Sequence, residues 1–303
     1  MKTAVLLMGF GGPGRPEDVE PFMRRMMGDR PLPPGRMDEI KKRYDLIGGK
    51  SPLLDITKKQ AKALEEALNT GNDGYRVYVG MLNWHPFIAE VLGTILEENP
   101  DRLVALSLNP YFTMASTGRY FAELERSLQG LGSPVEPIEI RSYCDEPLFI
   151  DALSETVYEG FCGVDEALRE DTDVVFTAHN IPAEMVDTGD PYADQVRETV
   201  HKVSRQSSLD RWHLAWQSSG KTGKWLEPDV DGIIEKLSIE GRRSILVVPA
   251  GFVSDHIETL YDLDIKMKEK TESLGMKYQR APSLNVRSSF INALAQTVHK
   301  HIA

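Results

Sequence analysis

Two short segments place an imidazole and a carboxylate just after apolar, β-branched runs. In Val175-Phe176-Thr177-Ala178-His179-Asn180-Ile181-Pro182 the run ends at His179. In Val248-Pro249-Ala250-Gly251-Phe252-Val253-Ser254-Asp255-His256-Ile257-Glu258 it leads to Gly251, suited to a turn, and Ser254, a helix-capping residue type. Glu258 is then expected in the first turns of a helix. Each residue has a plain structural reading: a hydrogen-bonded strand-end histidine, or an acid complementing a helix dipole. At the same edge of one sheet, however, an imidazole and a carboxylate can bind a divalent transition metal or exchange protons near neutral pH.

Two glycine-bearing segments imitate nucleotide sites. Gly9-Phe10-Gly11-Gly12-Pro13-Gly14 has the spacing of a dinucleotide-binding loop directly after a strand. Pro13 removes a backbone donor, Pro16 and Pro21 are expected to displace the following helix, and Asp29 is expected in a turn rather than at a second strand end. Ser219-Gly220-Lys221-Thr222 ends like a phosphate-cradling loop, but the position of its first glycine is Ala215, inside an expected strand.

The elements that must position these groups follow from the hydrophobic pattern. Strands are expected at 3–8, 75–80, 103–108 and 138–142, then at 173–177, 212–216, 244–248 and 276–280. Helical periodicity separates them, for example at 58–68, 86–96, 118–128 and 192–203, with a last amphipathic helix at 286–301. Apolar strands alternating with helices indicate an α/β fold with parallel sheet covered on both faces. Two groups of four strands predict two similar lobes meeting near residue 145. The first strand interval is about twice a normal βαβ length, and the excess falls at 10–51, over the crevice where open α/β sheets bind ligands. Met23, Met26 and Met27 on that insertion either pack a short helix or offer soft contacts to a flat apolar ligand.

Composition narrows the class. The 303 residues are 41% hydrophobic and 27% charged, ordinary globular values that exclude a disordered or fibrous chain. Thirty-five basic against 46 acidic residues leave a net charge of -11, unsuited to tracking nucleic-acid phosphates or an anionic membrane. Cys144 and Cys162 are too few to ligate a zinc finger or an iron–sulfur cluster and read as reduced thiols of a cytoplasmic protein. No apolar run is long enough to span a bilayer.

Taken together, several segments resemble ferrochelatase. They are the two segments above, extended to Thr259-Leu260, with Gly189-Asp190-Pro191-Tyr192 and Trp216-Gln217-Ser218. Gly48-Gly49-Lys50-Ser51-Pro52-Leu53, Asn83-Trp84-His85-Pro86 and Leu7-Met8-Gly9-Phe10-Gly11-Gly12-Pro13 join them, in order along the whole chain. The resemblance implies two Rossmann-like lobes, each a four-stranded parallel sheet flanked by helices, with a porphyrin cleft between them. The expected division is 1–145, bearing the porphyrin-covering insertion, and 146–303, bearing the metal-site residues. The implied reaction inserts Fe(II) into protoporphyrin IX or coproporphyrin III, releasing two protons, in haem biosynthesis.

By match, His179 and Glu258 are the inner metal-site and proton-transfer residues, with iron as substrate rather than a resident cofactor. Phe10, Met23 and Arg24 are expected to touch the macrocycle, with Ser51, Tyr120 and Trp225 as further pocket residues. Arg24, Arg25 and Arg30 are candidates to neutralise propionates. Phe10 stands where some bacterial members have tyrosine, so no hydroxyl acts there. Acidic residues at four-residue spacing lead outward in several members; here Glu258 and Asp262 match, but the third position is Lys266. Its ammonium is expected to repel a divalent ion and move any outer site toward Asp264, unless it simply pairs with Asp262. The chain ends at Ala303 without cluster-binding cysteines, like the short soluble form, expected to be monomeric. Two competing readings are a dinucleotide-dependent oxidoreductase using the Gly9–Gly14 loop and a non-catalytic bilobal tetrapyrrole or metal carrier.

Overall fold

In the computed structural model, which describes residues 1–28, 33–71, 74–220 and 222–303, Thr3–Gly9 forms β1. All seven of its residues are buried, as a central parallel strand covered on both faces requires. The chain passes through a 3-10 turn at Pro16–Asp18 into α1 (Val19–Met27), α2 (Arg36–Leu46) and α3 (Leu53–Leu68), then β2 (Tyr75–Met81). α4 (Ile88–Glu97), β3 (Arg102–Ser107), α5 (Thr117–Gly130) and β4 (Ile138–Ile140) complete the first sheet and its helices. α6 (Pro147–Cys162) leads to β5 (Thr172–His179), α7 (Ala183–Asp187), α8 (Tyr192–Gln206), β6 (Trp212–Gln217), α9 (Val230–Ile239) and β7 (Ser244–Val248). α10 (Ile257–Leu260), a π-helical turn (Asp262–Met267), α11 (Lys268–Ser273), β8 (Lys277–Arg280) and α12 (Ser288–Ile302) follow.

The two sheets have one topology used twice. Their orders are β2-β1-β3-β4 and β6-β5-β7-β8, and every pairing is parallel. In each, the strand order reverses beside the first strand, and the carboxyl ends there form the crevice that α/β sheets use for ligands. The first crevice carries the loops after β1 and β3. The second carries the end of β5, with His179, and the loop after β7, which leads into α10 and Glu258.

One apolar core links the lobes. Val5, Leu7 and Leu106 of the first sheet and Phe176, Trp216 and Leu246 of the second belong to the same buried cluster, with Phe149 on α6 and Phe290 on α12. Each such fully buried Phe or Leu contributes about 1.5–3 kcal/mol. α12 packs on α3 and β4 as well as on α6, so the C-terminal helix braces the first sheet too. Most expected elements lie within two residues of those observed. β4 stops at Ile140 because Ser142 Oγ and the Tyr143 N–H both turn to the Pro110 carbonyl, at 2.8 and 3.0 Å.

Candidate active site

β5 ends at His179, and its ring is fixed by its own neighbour. Nδ1 lies 2.6 Å from the Asn180 carbonyl. A carbonyl only accepts, so Nδ1 carries the proton and Nε2 presents its lone pair. That Nε2 faces Glu258 Oε2 at 3.7 Å. The gap is too long for a hydrogen bond, yet one cation bonded at about 2.0–2.2 Å to each atom fits it. Glu258 Oε2 is buried and has no hydrogen-bond partner among the described residues, a state that a carboxylate tolerates only beside a cation or a proton.

Glu258 reaches this place through backbone contacts that the sequence only partly announces. Gly251 follows β7, donates its N–H to the Thr177 carbonyl at 2.9 Å, and lies so close to β5 that a Cβ would meet Ala178 Cα at 2.7 Å. The expected cap at Ser254 is corrected: α10 starts after His256, whose N–H goes to Thr259 Oγ1 at 3.0 Å. Ser254 Oγ instead accepts from Gln60 Nε2 at 2.9 Å, a contact from the first lobe. Gly251→Ala is therefore expected to destabilise the protein by about 1–3 kcal/mol, as overpacking does, and to displace the loop bearing Glu258. Urea unfolding together with initial rates of metal insertion checks this; a variant with normal stability and rate would show that the close approach is dispensable.

The pair opens onto a cleft of about 440 Å³ between the lobes, lined mainly by apolar groups. Phe10, Met26, Leu53, Met81 and Tyr120 line it from the first lobe, and Ile181, Pro182, Tyr192, Trp225 and Phe252 from the second. His256 also faces it; burial holds its imidazole below the ordinary range, against the opposing charge of Glu258. Three residues quoted only as parts of motifs turn out to position the site. Tyr192 donates its phenol to the His179 carbonyl at 2.9 Å, and Gln217 Nε2 donates to the Glu258 carbonyl at 3.2 Å. Asn180 holds the loop carrying Trp225 through the Leu226 N–H and carbonyl, both at 3.0 Å.

Of the residues expected at the macrocycle, Phe10, Tyr120 and Trp225 line the cleft. Met23 does not; it packs with Val19, Ile40 and Tyr44, and Met26 takes the cleft position one turn on. Arg24 is exposed and paired with Glu20 at 2.7 Å, and Arg25 lies 4.3 Å over the Phe87 ring. Ser51 is buried, its Oγ accepting from the Leu53 N–H, and does not line the cleft. Arg30 lies outside the described residues. The Gly9–Gly14 loop does not lead directly into an α-helix: Leu82 and Asn83 donate to the Gly9 and Phe10 carbonyls, a 3-10 turn at Pro16–Asp18 follows, and α1 begins only at Val19. Gly11 serves packing, since a Cβ there would meet the Trp84 backbone nitrogen at 3.0 Å.

The outward path also differs from expectation. The Lys266 N–H reaches the Tyr261 carbonyl at 2.9 Å, the five-residue step of a π turn. Both oxygens of Asp264, the residue expected to attract an outer site, accept from Arg280, at 2.5 and 2.9 Å. Lys266 is exposed and forms no ion pair with Asp262 among the described residues. Burial, and then the Glu258 charge, lift Asp262 from 3.8 to about 6, against Arg43, Lys266 and His179. The native state thus keeps a proton that the unfolded chain loses, so stability falls as pH rises from about 4 to 6. Asp262→Asn is expected to stabilise by on the order of 1–2 kcal/mol above pH 7, a gain that shrinks at pH 4. Chemical unfolding at both values checks the sign; an equal gain at both would place the cause elsewhere.

Two four-stranded parallel sheets joined around such a cleft define the chelatase class of fold. The structure of SirB from Bacillus subtilis with Fe3+ matches with a TM-score of 0.59 over 100% of this chain and 96% of that one, at 13% identity, a likeness of fold alone. Sequence carries the assignment further. The ferrochelatase family model matches residues 2–302, and the chain belongs to the ferrochelatase family. A ferrochelatase of Geotalea uraniireducens strain Rf4 is 40% identical, over 100% of this chain and 98% of its own length. A coproporphyrin III ferrochelatase of Geobacillus sp. strain WCH70 is 36% identical over 99% and 98%. The activity of the family is insertion of Fe(II) into a porphyrin in haem biosynthesis. Among the described residues, no helix is long and apolar enough to cross a membrane.

Proposed function

We propose that His179 and Glu258 carry out this insertion, with the cleft wall at Phe10, Met26, Tyr120 and Trp225 holding the porphyrin. The observation that carries the assignment is the pair itself: an Nε2 lone pair and an unpartnered carboxylate oxygen 3.7 Å apart at the cleft. A planar porphyrin keeps its N–H hydrogens in the ring plane, where an incoming ion cannot displace them easily. A cleft that binds a bent macrocycle turns nitrogen lone pairs outward, and contacts around the rim offset the distortion. Nε2 of His179 accepts a pyrrole proton as the ion enters, its Nδ1–H staying on the Asn180 carbonyl. Glu258 neutralises the partly dehydrated cation and takes up the second proton with Asp262 behind it.

In this reading iron is the substrate, no tightly bound cofactor or iron–sulfur cluster takes part, and the protein works as a monomer in the cytoplasm. Residues 1–145 supply one wall of the porphyrin cleft, and 146–303 supply the other wall together with the metal face. The acidic surface and the two unbridged cysteines suit that compartment. Purified protein, anaerobic Fe(II) and either protoporphyrin IX or coproporphyrin III, followed by visible absorption, test the reading. Metalloporphyrin formation faster than the protein-free control is expected with one of them. Tight porphyrin binding without conversion would instead make the protein a carrier.

A further inference from the structure

Asp190 sits between the two lobes, buried, in a segment to which the reaction assigns no part. Three donors converge on its carboxylate. Oδ2 accepts from Thr113 Oγ1 at 2.9 Å and from the Met114 N–H at 2.8 Å, both on the first-lobe loop between β3 and α5. Oδ1 accepts from the Tyr192 N–H at 3.0 Å. Among the described residues no cation pairs with it, so these hydrogen bonds alone satisfy the charge. An amide in its place brings an NH2 group against at least one of the three donors, so the site selects a carboxylate.

The two arms of this hub end at opposite sides of the cleft. On one side Thr113, Ala115 and Ser116 line the wall, and Thr113 is further wound onto α5 through Thr117 Oγ1 at 2.6 Å. On the other, the Tyr192 phenol holds the His179 carbonyl at 2.9 Å. One carboxylate therefore joins the residue that meets the metal to the wall that meets the macrocycle.

We propose that Asp190 is a positioning residue that sets the register of the porphyrin over His179 by tying the Thr113–Ser116 wall to the Tyr192 phenol. The proposal rests on the assignment of His179 and the cleft made above. A register error is felt as weaker productive porphyrin binding, whereas access of Fe(II) is unaffected.

The test varies porphyrin at saturating Fe(II) for the wild type, T113V, T113S and D190N, with porphyrin Kd by fluorescence quenching and thermal midpoints alongside. T113V keeps the side-chain shape and removes one donor. It is expected to raise porphyrin KM and Kd by about tenfold with kcat within about threefold, and T113S, which restores the hydroxyl, to recover most of that loss. D190N is expected to lower kcat as well, since the Tyr192 arm loosens, and T113V/D190N to be no worse than D190N because the two share one interaction. Unchanged KM and Kd in folded T113V, or independent additive losses in the double variant, would overturn the proposal. A fall in thermal midpoint alone would reduce Asp190 to a structural tie. If the wild type binds porphyrin but inserts no iron, the catalytic reading falls, and the Kd of T113V still decides the register.

Discussion

His179→Ala is expected to reduce iron insertion by about 10²- to 10⁴-fold, the range in which a positioned proton acceptor contributes, while porphyrin Kd stays within a few-fold. The reason lies in the ring's two nitrogens. Nδ1 is held by the Asn180 carbonyl at 2.6 Å, so the lone pair at Nε2 is the one basic nitrogen His179 offers to the cleft. Alanine removes it without opening the core, since His179 ends its strand partly exposed. Porphyrin binding draws mainly on the apolar walls at Phe10, Tyr120, Trp225 and Phe252 and survives the change. Absorption titration and anaerobic initial rates on the same preparation separate the two quantities. Turnover comparable to wild type would remove His179 from the reaction; loss of porphyrin binding in step with turnover would make it a wall residue.

Glu258→Gln should lower turnover by on the order of 10²-fold with the fold intact. Glutamine has nearly the same size, and Oε2 of Glu258 makes no hydrogen bond that the substitution could break. What disappears is the charge that faces Nε2 and raises its neighbour Asp262. The Asp262 carboxyl should then titrate lower, so stability near neutral pH is expected to hold or rise. Isothermal calorimetry with Co(II) on the porphyrin-free protein should show weaker ion binding alongside the slower insertion. A glutamine variant that unfolds would identify Glu258 as a structural group, and one with normal rates would place the cation elsewhere.

Much of this arrangement was legible in the residues. The apolar runs 3–8 and 173–177 became the central strands of the two sheets because unbroken hydrophobic strands must be covered on both faces. The doubled interval after β1 became α1, α2 and α3, the first two lying beside Glu258 through the contact of Ile257 with Val19, Ile40 and Tyr44. His179 and Glu258 each have a plain structural reading taken alone, and it is the motifs around them, which resemble ferrochelatase, that single them out. The methionines were legible only as a helix face: spacing could not say that Met23 packs inward while Met26 reaches the cleft. The arginines fell to local partners, Glu20 for Arg24 and the Phe87 ring for Arg25, which a charge count does not reveal.

Residue types and periodicity by themselves determined the strands, the parallel α/β class and the long insertion, while the roles expected of His179 and Glu258 came with the resemblance to ferrochelatase. Tertiary structure alone decided that the strands order as β6-β5-β7-β8, so that segments 69 residues apart, ending in His179 and Val248, pair side by side. It also decided that Gly251 closes on Ala178, that Asp264 answers to Arg280, and that Asp190 reaches across to Thr113. The physical reason is range. Secondary structure follows from interactions within a few residues, which periodicity records. The 3.7 Å between His179 and Glu258 depends on contacts between distant parts of the chain, and those exist only once the two sheets share a core.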